Sequence, residues 1–412
     1  MKREVKPSAV RGTISAPASK SVVQRAIAAA LLSDGDSIIT NPGTSNDCLA
    51  AISIARELGA TVIQSERQLT ITGTKGVVNN HLHCGESGLS IRMFTPIAAS
   101  FSKGITLTGE GSLTTRPMAL LESPLQQLGA FCKTNNGFVP IEVNGPLNGG
   151  LATLDGSLGS QILTGLLMAA PLAKSDVTLQ VKNLQSKPYI DLTLEVMKAF
   201  GVTTENRNYE EFIIKANQKY RATTYNVEGD WSGAAFLLVA GAIAGEIRVE
   251  NITSASKQAD KAIVQALLMA GATVKEHSNA IEICHAPLSA FYFDATDCPD
   301  LFPPLVSLAA ACKGVSSIKG VGRLEHKESN RAVALQSEFG KMGITIDVDG
   351  DIMRITGGPL NAATIDSHND HRIAMAAAIS ALTGNGTVTI NGAECVAKSY
   401  PEFFEDLKSI SQ

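Results

Sequence analysis

Apolar and polar positions along the chain alternate between two periods, and the alternation recurs. Amphipathic stretches with helical spacing end in an apolar-Gly-x signature and run into short segments of period two. The signature occurs at Glu57-Leu58-Gly59-Ala60, Gln127-Leu128-Gly129-Ala130, Ala199-Phe200-Gly201-Val202, Met269-Ala270-Gly271-Ala272 and Lys341-Met342-Gly343-Ile344. The five glycines stand 70, 72, 70 and 72 residues apart. Glycine just past a helix adopts the left-handed conformation that closes it, so each is predicted to be a C-cap. After each cap the pattern predicts a strand, a polar turn and a second strand such as 69–72, 138–143, 212–215, 281–284 or 352–355.

A second marker shares the period. Small-residue, uniformly apolar helices are predicted to start near Lys20, Ser87-Gly88, Ser160-Gln161, Asp230, Asp300 and Asp370-His371. Six starts give six units of about 70 residues, and an internal period of this size marks a repeat architecture. Each unit reads as helix, strand, amphipathic helix, strand, strand, with a further strand leading in. The last amphipathic helix, 402–410, reaches the chain end where the next capping glycine would fall. The expected class is α/β, as two domains of three units each.

Composition narrows the picture. The chain has 412 residues, enough for two or three domains, and is 44% hydrophobic with only 5% aromatics and 36 glycines. That balance suits small-residue helices packed closely on sheets. The net charge of −4 gives no general attraction to nucleic acid or anionic membrane, so any anion site must be built locally. Seven scattered cysteines without a C-x-x-C pair read as reduced thiols in a cytoplasmic protein. No leader is expected before Lys20. The apolar runs 163–173 and 234–244 are shorter than the ~20 residues that span a bilayer.

The helix starts carry the chemistry. Pro17-Ala18-Ser19-Lys20-Ser21 leads into an alanine-rich helix with Arg25 about one turn in. Unpaired N–H groups and the positive end of the dipole favour an anion there, and Lys20, Ser21 and Arg25 add two charges and a hydroxyl. Gly85-Glu86-Ser87-Gly88, with Arg92 a turn on, lets backbone N–H groups approach a ligand. Gly156-Ser157-Leu158-Gly159-Ser160-Gln161 is a neutral, hydrogen-bonding start. Asp230 reads as a structural cap or a domain crossover. Asp300 and Asp370-His371-Arg372 open the fifth and sixth helices. Between them lie Arg116 before a helix expected to begin at Pro117, Ser186-Lys187-Pro188-Tyr189, and Lys398 ahead of the last helix. Lys327 and Arg331 are expected on one helical face at i, i+4, with Glu328 between them. Any one of these reads equally as a cap or a solvated face. Together they describe a cleft for a multiply anionic ligand. His81-x-His83 has no third ligand nearby, so no metal is expected. Neither a P-loop nor a dinucleotide fingerprint is present.

The ordered set Lys20-Ser21-x-x-x-Arg25, Gly85–Arg92, Thr114–Met118, Ser186–Tyr189, Lys327–Arg331, Asn369–Arg372 and Lys398–Pro401 resembles the EPSP synthase family, 3-phosphoshikimate 1-carboxyvinyltransferases, over essentially the whole chain. The resemblance implies two domains of three βαβαββ units, an inverse α/β barrel arrangement, with the active site between them. It places the first domain at 19–226 and the second at 1–18 plus 227–412. It implies transfer of the enolpyruvyl group of phosphoenolpyruvate to the 5-hydroxyl of shikimate 3-phosphate, by addition and elimination, without cofactor or metal. Asp300 would be the base and Glu328 the proton donor and acceptor, with Lys20 and Lys398 beside them. Lys20, Gly88, Arg116, Gln161, Arg331, Arg372 and Lys398 would hold phosphoenolpyruvate. Ser21, Arg25, Gly159, Ser160, Ser186 and Lys327 would hold shikimate 3-phosphate, with Tyr189 and His371 nearby. Departures from the family's usual residues are Glu86 for asparagine, Leu89 for threonine, Gly159 for serine and Asn330 for aspartate.

Two alternatives stand beside this one. The sister transferase that uses UDP-N-acetylglucosamine typically carries a cysteine in the loop that 109–115 occupies here, and none is present. A non-catalytic phosphometabolite binder would not need both Asp300 and Glu328. A monomer acting on small molecules, with neither nucleic acid nor membrane as partner, is the expected state.

Overall fold

The computed structural model describes residues 1–65 and 67–412. The described residues form twelve α-helices of two alternating kinds. The odd-numbered ones are α1 (Lys20–Leu31), α3 (Gly88–Ala98), α5 (Gln161–Ala169), α7 (Trp231–Ala244), α9 (Phe302–Ala311) and α11 (His371–Ala381). The even-numbered ones are α2 (Asn46–Glu57), α4 (Glu122–Gln127), α6 (Lys187–Ala199), α8 (Ile263–Ala270), α10 (Arg331–Lys341) and α12 (Phe403–Ile410). The odd helices are mostly apolar and are buried on every side along nearly their whole length. A helix with no polar face has to be enclosed by other elements. The even helices bury one stripe and leave the rest to water.

The capping glycines behave as their spacing predicts. Gly59, Gly129, Gly201, Gly271 and Gly343 have φ of +98°, +87°, +84°, +94° and +88°. An L side chain is strained in this region, so any other residue would cost stability at the end of each amphipathic helix.

Each repeat forms one sheet. A lead-in strand pairs in parallel with the strand after the buried helix, which pairs antiparallel with the hairpin that follows the amphipathic helix. In the second repeat the order is His81–His83, Ile105–Thr108, Phe138–Asn144, Phe131–Asn135. The third and fifth repeats have the same plan.

The first and fourth repeats do not use the strand that precedes them. Val10–Ser15, which leads into α1, pairs in parallel with Gly245–Glu250 of the fourth repeat. Thr224–Asn226, which leads into α7, pairs in parallel with Asp36–Thr40 of the first. The lead-in strands are thus exchanged at the two places where the chain crosses over. The sixth sheet has three strands and borrows Lys2–Val5 as its antiparallel partner.

This exchange explains the division of the chain into two compact units, 18–227 and 1–17 with 228–412. Val227 N–H donates to the Thr40 carbonyl at 3.1 Å, and Asp230 N–H to the Pro17 carbonyl at 2.7 Å. Each crossover is thereby held to its own unit.

Two local expectations fail. Pro117 does not start a helix. Arg116 before it is extended, as a residue preceding proline must be, and a 3₁₀ turn follows only at Ala119–Leu121. Lys327 and Arg331 do not share a helical face. Asn330 adopts φ −71°, ψ 90° and its side chain accepts from Val333 N–H, so α10 begins at Arg331 and leaves Lys327 on the preceding turn. Among the described residues no helix is long and apolar enough to cross a membrane, and no cluster of metal-ligating side chains occurs. All seven cysteines are free, six of them buried.

Candidate active site

In the unit of residues 18–227, the starts of α1, α3, α5 and α6 are joined by side chains that reach from one to the next. Gln24, one turn into α1, accepts at Oε1 from Ser87 Oγ at 3.1 Å and Ser90 Oγ at 2.8 Å, which ties α1 to the start of α3. Arg25 is fully buried. Its Nε donates to Thr193 Oγ1 at 2.9 Å, Nη1 to the Ser21 carbonyl at 2.7 Å and Nη2 to Thr164 Oγ1 at 3.2 Å and the Tyr189 carbonyl at 3.4 Å. It therefore links α1, α5 and α6. Burial pulls its pKa down to about 10, because no carboxylate compensates the desolvated charge.

Arg92 carries the connection to the next start. It donates to Gln161 Oε1 at 2.9 Å and to the Pro117 carbonyl at 3.1 Å. Gly88 lies against the Arg116 guanidinium so closely that a Cβ there would displace it. Lys20 opens α1 and pairs with the buried Asp47 at 2.8 Å. The turns that carry Gly159, Ser160 and Ser186 are tied together, since Gln185 N–H donates to the Gly156 carbonyl at 3.2 Å and Gly159 N–H to the same oxygen at 3.0 Å. Ser186 sits at φ +58° directly before α6, with Pro188 in that helix's first turn. Lys20, Ser21, Arg25, Gly88, Arg116, Gly159, Ser160, Gln161, Ser186 and Tyr189 thus lie at the starts of α1, α3, α5 and α6 or in the loops beside them.

Glu86, one of the unusual residues, accepts from Ser112 N–H and Ser112 Oγ, both at 3.3 Å. Its carboxylate holds the 3₁₀ turn Gly111–Thr115 that leads to Arg116.

In the unit formed by 1–17 and 228–412, the arrangement is a network of paired charges. Arg331, the first residue of α10, is completely buried and spans three carboxylates. Nε reaches Asp370 at 2.8 Å, Nη1 reaches Asp300 at 2.7 Å and Nη2 reaches Glu328 at 2.5 Å. Asp300 in turn receives three cations: Arg331, Arg372 Nη2 at 3.0 Å and Lys327 Nζ at 3.2 Å. Asp370 caps α11 by accepting from Arg372 N–H at 3.0 Å and also accepts from Ser329 Oγ at 3.1 Å.

The titration behaviour follows from this geometry. Burial acts to raise the Asp300 pKa, but Arg372, Lys327 and Arg331 together hold it well below the usual carboxylate range, so it is ionised at neutral pH. Burial lowers the Lys327 pKa, partly offset by Asp300. Arg331 is pushed up despite burial by Asp370, Glu328 and Asp300. The Asp300 side chain keeps 24% of its surface accessible, so a ligand can reach it. His371 is wholly enclosed at the start of α11. Lys398 ends the 3₁₀ turn Ala393–Lys398, 6% exposed.

The network unites Asp300, Lys327, Glu328, Arg331, Asp370 and Arg372, six of the residues singled out in the sequence. Two contributors in the unit 18–227 were not singled out: Gln24 and Asp47. Gln24 leaves one trace, a polar side chain on an otherwise alanine-rich buried helix. Asp47 sits on a polar segment that looks like any solvated turn.

The EPSP synthase family profile, 3-phosphoshikimate 1-carboxyvinyltransferase, matches residues 5–407. The chain is 37% identical to the 3-phosphoshikimate 1-carboxyvinyltransferase of Clostridium kluyveri, over 98% of this chain and 96% of that one. It is 39% identical to that of Methanosarcina acetivorans, over 100% and 98%. Among solved structures, the EPSP synthase of Acinetobacter baumannii superposes with a TM-score of 0.85 at 26% identity, covering 100% of this chain and 98% of that one.

Proposed function

The chain belongs to the EPSP synthase family, and from that premise we infer how its residues divide the reaction. The protein transfers the enolpyruvyl group of phosphoenolpyruvate to the 5-hydroxyl of shikimate 3-phosphate and releases phosphate. The names of the relatives favour this acceptor over a nucleotide sugar.

Each unit brings its own set of groups to the reaction. Asp300 accepts the proton of the 5-hydroxyl as that oxygen attacks carbon 2 of the enol. Glu328 delivers a proton to carbon 3 and takes one back when the tetrahedral adduct expels phosphate. Arg331 fixes the spacing of these two carboxylates by binding both. Lys20, Arg116, Gln161, Arg372 and Lys398 hold the phosphate and carboxylate of phosphoenolpyruvate, with backbone N–H groups at Gly88. Ser21, Arg25, Ser160, Ser186 and Lys327 hold shikimate 3-phosphate. Preorganised cations aimed at developing negative charge are the largest contributors to such catalysis. The protein works as a monomer in the cytoplasm.

The observation that carries this reading is Asp300 itself: an accessible carboxylate kept ionised by three cations and tied to Glu328 through one guanidinium. A general base must be deprotonated before it acts. The test is a phosphate-release assay with phosphoenolpyruvate and two acceptors. Release with shikimate 3-phosphate is expected. Release only with UDP-N-acetylglucosamine would overturn the acceptor, and binding of both ligands without release would overturn the reaction.

A further inference from the structure

Asp260 is a buried acid within electrostatic reach of Asp300. Asp260 lies on the 3₁₀ turn Ala259–Ala262 and is fully enclosed. Its Oδ2 accepts from Ser232 Oγ, near the start of α7, while its buried Oδ1 meets no hydrogen-bond donor. Leaving a carboxylate oxygen buried and unpartnered is costly, so such a group calls for a reason. The charged groups facing it are Asp300, Arg372 and Asp230, with the Cys298 thiol alongside. Arg372 in turn has a buried Nε with no acceptor. The group it acts on, Asp300, is faced by Arg372, Lys327, Arg331 and Glu328, with Arg323 within electrostatic reach.

In the arrangement described, Asp300 is a weak proton acceptor, because three cations stabilise its charged form. The ligand's anionic groups draw on Arg372 and Lys327, and the stabilisation of Asp300 falls as they do. Arg331 and Glu328 then remain beside it, with the Asp260 carboxylate within electrostatic reach. Like charges at close range raise proton affinity.

We propose that Asp260 is a positioning residue for the base, its enclosed carboxylate strengthening Asp300 as a proton acceptor once bound anions engage Arg372 and Lys327. The inference rests on the reaction given above. The proton itself passes only from the 5-hydroxyl oxygen to Asp300, as the new carbon–oxygen bond forms. Asp260 acts by charge and touches no substrate.

The experiment is the pH profile of kcat and KM for the parent, Asp260→Asn and Ser232→Ala, read by phosphate release. Burial and the charge of Asp300 raise the Asp260 pKa to about 6, so the parent should show an inflection near there. Asp260→Asn should abolish that inflection, lower kcat at neutral pH about three- to tenfold as the base weakens, and lower KM for phosphoenolpyruvate as the site becomes more positive. Ser232→Ala removes a hydrogen bond to the charged form, so the inflection should move to higher pH. This second variant keeps the idea testable if Asp260→Asn does not fold. An inflection in its parental position in both variants, or kcat falling with KM rising and the profile unmoved, would overturn the proposal. A parent that releases no phosphate from these substrates would defeat the reaction instead.

Discussion

Arg25 and Arg331 are buried to the same degree, in different units, and have opposite surroundings. Arg25 meets two hydroxyls and two carbonyls, and its pKa is pulled down to about 10. Arg331 meets three carboxylates, and its pKa is pushed up. The first keeps an uncompensated charge, which an anionic ligand can satisfy. The second has its charge more than matched, so it organises acids and bases. Arg25 is thus suited to receive an anion, and Arg331 to hold acids in place. Lys20, unlike Arg25, already has a carboxylate partner in Asp47.

The largest effect expected from breaking this contrast is on the proton side. Glu328→Gln should lower kcat by about 10²- to 10⁴-fold, the usual contribution of a positioned acid–base group, in steady-state phosphate release. Next is Arg331→Met. Removing the cation strands three carboxylates, and loss of one partner from a buried pair costs about 3–5 kcal/mol, which should appear as a large fall in chemical-denaturation stability. The same change at Arg25 should separate the units. Arg25→Met should leave stability within about 1 kcal/mol of the parent, because an uncompensated buried charge is relieved. It should weaken shikimate 3-phosphate binding by about 1.5–3 kcal/mol, the value of a hydrogen bond to a charged group, measured by calorimetry. If both arginine variants lose equal stability, the contrast fails.

The smallest effect is a pH dependence. The folded-state pKa of Asp260 is raised to about 6, so its contribution to stability is full below about pH 4 and is lost as pH rises through about 6. Asp260→Asn should therefore gain stability relative to the parent on going from pH 4.5 to 7.5, by about 1–3 kcal/mol. A difference independent of pH would show that Asp260 is not titrating.

Local signals carried much of this into the sequence. The capping glycines were readable because only glycine suits φ near +90°, and the six buried helices because alanine-rich, apolar runs have no exposed face to offer. The exchange of Val10–Ser15 and Thr224–Asn226 was not readable. Either strand could pair with either sheet on pattern alone, and the choice is a long-range one. The i, i+4 relation of Lys327 and Arg331 failed because Asn330 caps the helix between them, a role that a departure from the family's usual aspartate did not advertise. Their convergence on Asp300 comes from the turn instead. Asp260 had no signal at all, since its significance depends on residues 40 and 112 positions away.

The division of labour is tested most directly by Asp300→Asn, with shikimate 3-phosphate affinity and single-turnover phosphate release measured on the same preparation. The account predicts affinity within about threefold of the parent, with release slowed by about 10²-fold or more. Release at the parental rate, or affinity lost in step with it, would contradict the assignment of Asp300 as the base.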